Sequence, residues 1–318
     1  MTNKIDKNNA TIADAAKLWI KNCEREGLER ATLRSYRGHV DHHIVPRIGS
    51  QLIKEMKAAD VRNFMDDLLE GSVSHAMTKK VMVSLRSIFK EAMVQELITI
   101  NVARDVRMRK SKRVKEEKII PTKHELRLML TNVSDRHRAF ITTLIFTGMR
   151  SSEIRGLVWD CVDFNKGTIT IKQKADRFNQ IGDPKSHSSC RSIPMSPTVM
   201  NTLKTWKSQC PKGKLDLVFP NGVGNVEGSS NIYHRILAPL QIECCIIKPN
   251  GKAKYGLHAV RHAAASLFIE QGWTPKKIQS ILGHADISLT FNTYGHLFED
   301  REKDQEAMAK MEADLLAA

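Results

Sequence analysis

Arg104 to Lys118 (RDVRMRKSKRVKEEK) carries eight basic and three acidic side chains and no sustained apolar periodicity. A stretch of this kind has no apolar face to bury, so it divides the chain into two parts that must each build a core of their own. Length agrees, because 318 residues exceed the roughly 100–200 of one ordinary domain. The sequence therefore predicts a short tail at 1–10, a helical domain at 11–103, a basic interdomain linker at 104–118 and a second domain at 119–318 ending in a helix.

From 11 to 100 the apolar residues recur at spacings of three and four, as in Val81, Leu85, Ile88, Phe89 and Ala92. That spacing gives helices with one buried face. Thr11, Thr32 and Ser74 are the expected starts, and Gly27, Gly49 and Gly71 the expected stops. After Pro121 the pattern is mixed. Helices are predicted near 122–131 and 135–147, strands at Thr168–Lys174 (TITIKQK) and Arg191–Met195, and helices again after about 196. Gly167, Gly182 and Pro184 punctuate a small antiparallel sheet. The expected class is mainly α with a small antiparallel β-sheet, a helical domain followed by a mixed α+β one.

Fifty basic residues against 35 acidic ones leave a formal charge of +15, which points to a polyanionic partner. The excess is uneven, since Glu299 to Asp314 holds three basic and seven acidic residues. A cationic strap at 104–118, with Lys110, Lys112 and Arg113 in it, would lie along phosphates. No run approaches the roughly 20 apolar residues of a membrane span, and no apolar core of about 7–15 residues follows a basic head at the N-terminus. An intracellular protein without a membrane partner is expected. The six cysteines form no C-x-x-C pair and are expected to be free thiols, with adjacent Cys244 and Cys245 buried.

Three boxes hold candidate chemistry. In FTGMRSSEIRGLVWDCVDF (146–164) Gly148 falls at a helix end and Arg150 opens the next helix. An arginine there can share an anion with the unpaired N–H groups of the helix start, and Glu153 can pair with it. In GLHAVRHAAASLFIEQGW (256–273) His258 and Arg261 lie three apart on one helix face and can reach one phosphate. His258 and His262 have the four-residue spacing of a metal pair, but no glutamate follows the first histidine and no third ligand stands out, so no metal is expected. In TPKKIQSILGHADISLTFNTYGHLF (274–298) Thr274 is a cap, Pro275 a first helical residue and Gly283 a stop, with His284 in the turn that follows. Ten residues later Tyr294 sits in the polar run Asn292-Thr293-Tyr294-Gly295, where exposure is expected.

In this order the boxes resemble the tyrosine recombinase, or phage integrase, family. Thr147-Gly148-Met149-Arg150 with Glu153 matches its arginine box, His258-x-x-Arg261 its H-x-x-R helix, and Leu282-Gly283-His284 leading to Tyr294 its LGH box and tyrosine. DPKSHSSCRSIPM matches the hairpin that carries the family's lysine, which falls at Lys185. The resemblance spans roughly residues 11–318. It implies a helical core-binding domain and a mixed α+β catalytic domain. It also implies a site-specific DNA recombinase in which Tyr294 forms a 3′-phosphotyrosyl link and frees a 5′ hydroxyl.

A phenol with a pKa near 10 is ionised to only about one part in a thousand at pH 7, a deficit of roughly 4 kcal/mol, so cations must help. By the resemblance Arg150 and Arg261 clamp the phosphate oxygens, His284 adds a donor and His258 accepts the phenol proton or orients the phosphate. Lys185 would protonate the departing 5′ oxygen, and Glu153 would orient a cation. Exchange of one phosphoester for another conserves bond energy, so no cofactor is expected. The implied partners are double-stranded recombination sites, four protomers on two duplexes and, in some systems, a DNA-bending accessory protein. The implied setting is the nucleoid in the cytoplasm, and the implied role integration or excision of a mobile element.

His42, His43, Lys79, Lys80 and Arg86 are candidates for the DNA face of the helical domain. Val102 stands where a proline is common in the family, and no arm-type DNA-binding module is expected before Thr11. Two other readings stay open: a type IB-like DNA topoisomerase, and a catalytically silent DNA-binding regulator. The C-terminal stretch Arg301–Leu316 places Ala307, Met308, Met311 and Leu315 on one helical face. That face suits docking on a neighbouring protomer or packing on its own domain equally well.

Overall fold

A computed structural model describes residue 6 and residues 9–108, 119–184, 189–294 and 301–317. Contacts divide the chain into two compact units, Met1–Glu116 and Glu117–Ala318.

In the first unit α1 (Ile12–Arg25) opens with a reciprocal cap. The Thr11 hydroxyl accepts from the Asp14 N–H at 3.2 Å, and the Asp14 carboxylate accepts from the Thr11 N–H at 3.3 Å. The helix buries Ile12, Ala15, Ala16, Trp19 and Cys23. α5 (His75–Val94), capped by Ser74, brings Val81, Met82, Leu85, Ile88, Phe89 and Ala92 into the same core, and α4 (Ala58–Glu70) adds Val61, Phe64 and Leu68. α2 (Arg30–His39) begins two residues before the expected Thr32, because the Thr32 N–H already bonds to the Glu29 carbonyl at 2.8 Å. Pro46 offers no N–H and its ring crowds an ordinary α turn. The chain widens into a π turn at Val40–Ile44 before α3 (Val45–Ile48), and Arg47 donates to the carbonyls of His42 and His43.

In the second unit α6 (Lys123–Asn132) starts at another capping box, Thr122 with Glu125. α7 (Asp135–Thr147) runs through the core with Phe140, Ile141, Leu144 and Ile145 buried, followed by α8 (Ser151–Arg155). β1 (Val162–Asp163), β2 (Thr168–Ile171) and β5 (Arg191–Pro194) form an antiparallel sheet in the order β1-β2-β5, with Ile169 opposite Ile193 and Ile171 opposite Arg191. Strand alternation turns Ile169, Ile171, Arg191 and Ile193 inward. The expected strand Thr168–Lys174 is split. The Gln173 side chain donates to the Gly156 carbonyl at 2.7 Å, and β3 (Lys174–Ala175) pairs separately with β4 (Ile181–Gly182).

Beyond the sheet come α9 (Pro197–Gln209), α10 (Ser229–Ile232) and α11 (Ala238–Glu243). A π turn at Tyr233–Leu237 again precedes a helix that holds a proline near its start, Pro239. α12 (Leu257–Glu270), α13 (Pro275–Leu282) and α14 (Ile287–Tyr294) bear the second and third boxes, and α15 (Arg301–Leu316) ends the described chain with Met308, Met311 and Leu315 exposed. Cys244 is half-buried and Cys245 exposed, against expectation. α11 stops at Glu243 and the chain reverses through Cys245 at φ 57°, which turns that side chain outward. Among the described residues no helix is long and apolar enough to cross a membrane.

Candidate active site

The site is organised around the end of α13. Gly283 closes that helix in the left-handed region at φ 65°, which favours glycine, and leaves carbonyl groups of the last turn without helical partners. Three arginines take three successive ones. Arg191 Nε donates to Ile281 O at 2.5 Å, Arg261 Nη2 to Leu282 O at 2.7 Å and Arg150 Nη2 to Gly283 O at 2.6 Å. Arg261 Nη1 also donates to Gly148 O at 2.7 Å, tying α12 to the turn that precedes Arg150. A β-carbon at Gly148 would come within 3.1 Å of the Ala264 β-carbon, so the small residue lets that turn sit directly on α12.

Glu153 binds two of the guanidiniums, those of Arg150 and Arg191, together. It is 4% exposed and accepts four hydrogen bonds: from the Arg150 N–H at 2.8 Å, Arg150 Nη1 at 2.7 Å, Arg191 Nη1 at 2.9 Å and Arg191 Nη2 at 2.8 Å. Burial works to raise its carboxyl pKa, but the bonds and charges of Arg191 and Arg150 prevail and hold it at about 2. Three guanidiniums around one carboxylate leave a net positive site. Arg150, with a side chain 35% exposed, is the member open to a solvent-borne anion. Arg261 is 3% exposed, and burial first, then Arg150, lowers its pKa to about 9, which still leaves it charged at neutral pH.

His284 sits in the turn after Gly283, half-buried, with Nδ1 paired to Thr290 Oγ1 at 2.9 Å. Burial, then the charges of Arg261 and Arg150, lower its pKa to about 4, so it is a neutral imidazole at pH 7. His258 is exposed on α12, and its ring lies edge-on to His262 with centroids 4.4 Å apart.

Tyr294 is not exposed as expected. It ends α14 at 3% exposure inside the apolar core, and its hydroxyl is hydrogen-bonded to His262 Nδ1. Burial raises its pKa to about 12 although nearby Arg261 pulls the other way. Neighbouring polar residues suggested solvent contact, but α14 turns this position inward against α12.

Arg150, Glu153, Arg261 and His284 therefore converge on one helix terminus, with Tyr294 held alongside by His262. Lys185 lies outside the described residues, as do Lys110, Lys112 and Arg113. In the helical unit His42, Lys79 and Lys80 are exposed and His43 is half-buried. Arg86 donates to Ala103 O at 3.1 Å and Val106 O at 2.7 Å, so its guanidinium pins the segment after α5. Among the described residues no group of three or more His, Cys, Asp or Glu side chains is placed to hold a metal ion.

Two participants escaped the sequence reading, Arg191 and His262. A signal for Arg191 existed in the alternation of RSIP, which puts the arginine on the same inward face as Ile193. His262 was weighed only as a metal partner of His258, four residues away, and not as a partner of Tyr294.

The phage integrase family model matches residues 118–301, and that of the phage integrase central domain matches residues 12–109. The tyrosine recombinase XerC-like protein of Caldanaerobacter subterraneus subsp. tengcongensis is 23% identical, over 92% of this chain and 81% of its own length. The ICEBs1 integrase of Bacillus subtilis is also 23% identical, over 87% of this chain and 76% of its own. Among solved structures, the Tn1549 transposon integrase in complex with a circular intermediate DNA aligns with a TM-score of 0.77 at 21% identity, covering 93% of this chain and 99% of that one. A lambda integrase dimer bound to a core site aligns with a TM-score of 0.66 at 15% identity, over 88% and 97% of the two chains. At these identities the structural likeness speaks for a shared fold.

Proposed function

The chain belongs to the phage integrase family and is a site-specific recombinase, and from that premise we propose that it cuts and rejoins DNA through a 3′-phosphotyrosyl bond at Tyr294 in order to integrate or excise a mobile element. The observation that carries this reading is the convergence of Arg150, Glu153, Arg261 and His284, from three separate boxes, on the last carbonyls of α13. Such an array presents preorganised positive charge where a pentacoordinate phosphate would develop negative charge.

Arg150, the accessible guanidinium, meets a non-bridging oxygen of the scissile phosphate first. Arg261 adds positive potential from within, and neutral His284 donates a further hydrogen bond. The Tyr294 oxygen attacks phosphorus, the bond from phosphorus to the 5′ oxygen breaks, and Lys185 gives that oxygen a proton. His258, four residues before His262 on the same helix, takes the phenol proton or orients the phosphate. At a pKa of about 12 the phenolate lies roughly 7 kcal/mol above the phenol at pH 7. Release of Tyr294 from its buried contact with His262 toward the arginines is therefore part of the reaction, because only next to cations does that gap shrink. Reversal by a 5′ hydroxyl from another strand completes recombination and regenerates the tyrosine.

The lambda and Tn1549 integrases were solved on DNA, which supports a duplex as the partner here. The helical unit, through residues such as His42, Lys79 and Lys80, and the basic strap at 104–118, with Lys110, Lys112 and Arg113, would hold that duplex. Four protomers would act on two duplexes. The exposed apolar face of α15, with Met308, Met311 and Leu315, would dock on a neighbouring protomer rather than on its own domain.

A nicked duplex carrying the DNA that flanks the gene tests the reading. Wild-type protein should become attached to the 3′ phosphate, while Tyr294→Phe binds the duplex and yields no adduct. Arg150→Ala should slow attachment by roughly 100- to 1,000-fold. An adduct mapped to another residue would overturn the assignment.

A further inference from the structure

The third guanidinium of the site has no part in the proposed chemistry. Arg191 is 8% exposed, and its side chain spans three elements: a two-pronged pair with both Glu153 oxygens at 2.9 and 2.8 Å, the Ile281 carbonyl at 2.5 Å and the Ser189 carbonyl at 3.1 Å. Gly283 makes room for it, since a β-carbon there would lie 2.8 Å from Arg191 Nη1. So the glycine of the LGH box has a second duty besides its left-handed turn.

Glu153 is thus shared unequally. Arg191 offers it the parallel fork geometry that best matches a carboxylate, whereas Arg150 touches it with one guanidinium nitrogen and spends the other on Gly283 O. Both Glu153 oxygens are already occupied, so Arg150 cannot turn flat against the carboxylate and keeps an edge toward solvent. Without Arg191, a buried carboxylate would have Arg150 as its nearest hydrogen-bonded cation. An unneutralised buried charge is costly enough to draw Arg150 into that fork, away from any phosphate.

We propose that Arg191 is a positioning residue that occupies the Glu153 carboxylate and so keeps Arg150 turned toward the scissile phosphate. The proposal rests on the reading of Arg150 as a phosphate ligand. Arg191 does not touch DNA in this scheme. It acts through Glu153, and its importance should vanish when Glu153 no longer carries charge.

The test is a double-substitution cycle on the full chain, read as single-turnover attachment to the nicked duplex, with duplex affinity and far-UV circular dichroism measured in parallel. Arg191→Met should slow attachment by about 100-fold in the wild-type background, with duplex affinity changed less than about 3-fold, but by less than about 10-fold in a Glu153→Gln background. With Glu153→Gln itself slowing attachment by less than about 10-fold, R191M/E153Q should react faster than Arg191→Met alone. Arg191→Lys, which keeps charge and loses the fork, should fall between wild type and Arg191→Met. Equal losses in the two backgrounds, or an Arg191→Met protein as fast as wild type, would overturn the proposal. If Arg191→Met alone fails to fold, R191M/E153Q against E153Q decides, and a drop beyond about 10-fold counts against it. A wild-type chain that formed no adduct would instead remove the underlying reading, so the two failures are distinguishable.

Discussion

Among the described residues the helical unit buries one carboxylate, Glu91, one histidine, His39, and no guanidinium, whereas the second unit buries Glu153, Arg155, Arg191, Arg261 and His262. The first has apolar helix faces meeting across Trp19, Leu85, Ile88 and Phe89. The second contains a comparable apolar core and then adds charges to it, each of which costs several kcal/mol to dehydrate before pairing recovers it. The core of the helical unit forms with no buried guanidinium among the described residues. Apart from Arg155, which donates to the Glu227 and Asp176 carbonyls, the buried guanidiniums gather at the carbonyls of Ile281 and Leu282, as the proposed reaction would require of fixed donors.

The contrast can be broken most directly in the helical unit. Phe89 is fully buried, and Phe89→Ala should destabilise that unit by about 3–5 kcal/mol. Hydrogen exchange followed on peptides should show loss of protection in α1, α4 and α5 with the second unit unchanged. Protection lost equally in α7 and α12 would mean that the units do not unfold separately.

A smaller effect sharpens the other side. His284 and Glu153 both have folded pKa values below their ordinary ones, about 4 and about 2, so the unfolded chain binds more protons and stability falls with falling pH. The His284 contribution is present above about pH 6.5 and lost between there and pH 4; that of Glu153 is lost from about pH 4.5 down to 2. His284→Asn should flatten the decline of unfolding free energy between pH 7 and 4, measured by denaturant titration, by on the order of 2 kcal/mol after allowance for partial exposure. An unchanged slope would show that His284 does not titrate with folding.

The least effect belongs to the cap of α1. Thr11→Ala removes the acceptor for the Asp14 N–H and should cost about 1 kcal/mol, read in the same exchange experiment as faster opening of the first turn. Equal protection in the two proteins would assign that turn's stability to Ile12 and its apolar contacts instead.

Much of this architecture was legible beforehand because it is local. Thr11, Ser74 and Thr274 cap helices, and Gly148 and Gly283 end them, since a cap is decided by a side chain and a backbone N–H two or three residues away. Arg150 at a helix start and His284 beyond a helix stop followed from the same punctuation. Thr32 misled because a good capping residue can also sit inside a first turn that its predecessor has begun. Tyr294 misled because the polarity of its neighbours in sequence says little about the helix that packs over it.

By itself the sequence determined two separately cored parts, their helical and mixed characters, the boxes and their order, because periodicity, capping and charge runs are properties of neighbouring residues. Only the tertiary structure decided how each charge is spent. Arg150 reaches the Gly283 carbonyl across 133 positions and Arg261 the Gly148 carbonyl across 113, while Arg86, chosen as a DNA ligand by its charge, is taken up by carbonyls 17 and 20 residues on. A guanidinium looks the same in a sequence whether it meets solvent, a phosphate or the chain's own carbonyls. Its partner is set by which distant backbone groups folding leaves unpaired, and that depends on the packed whole.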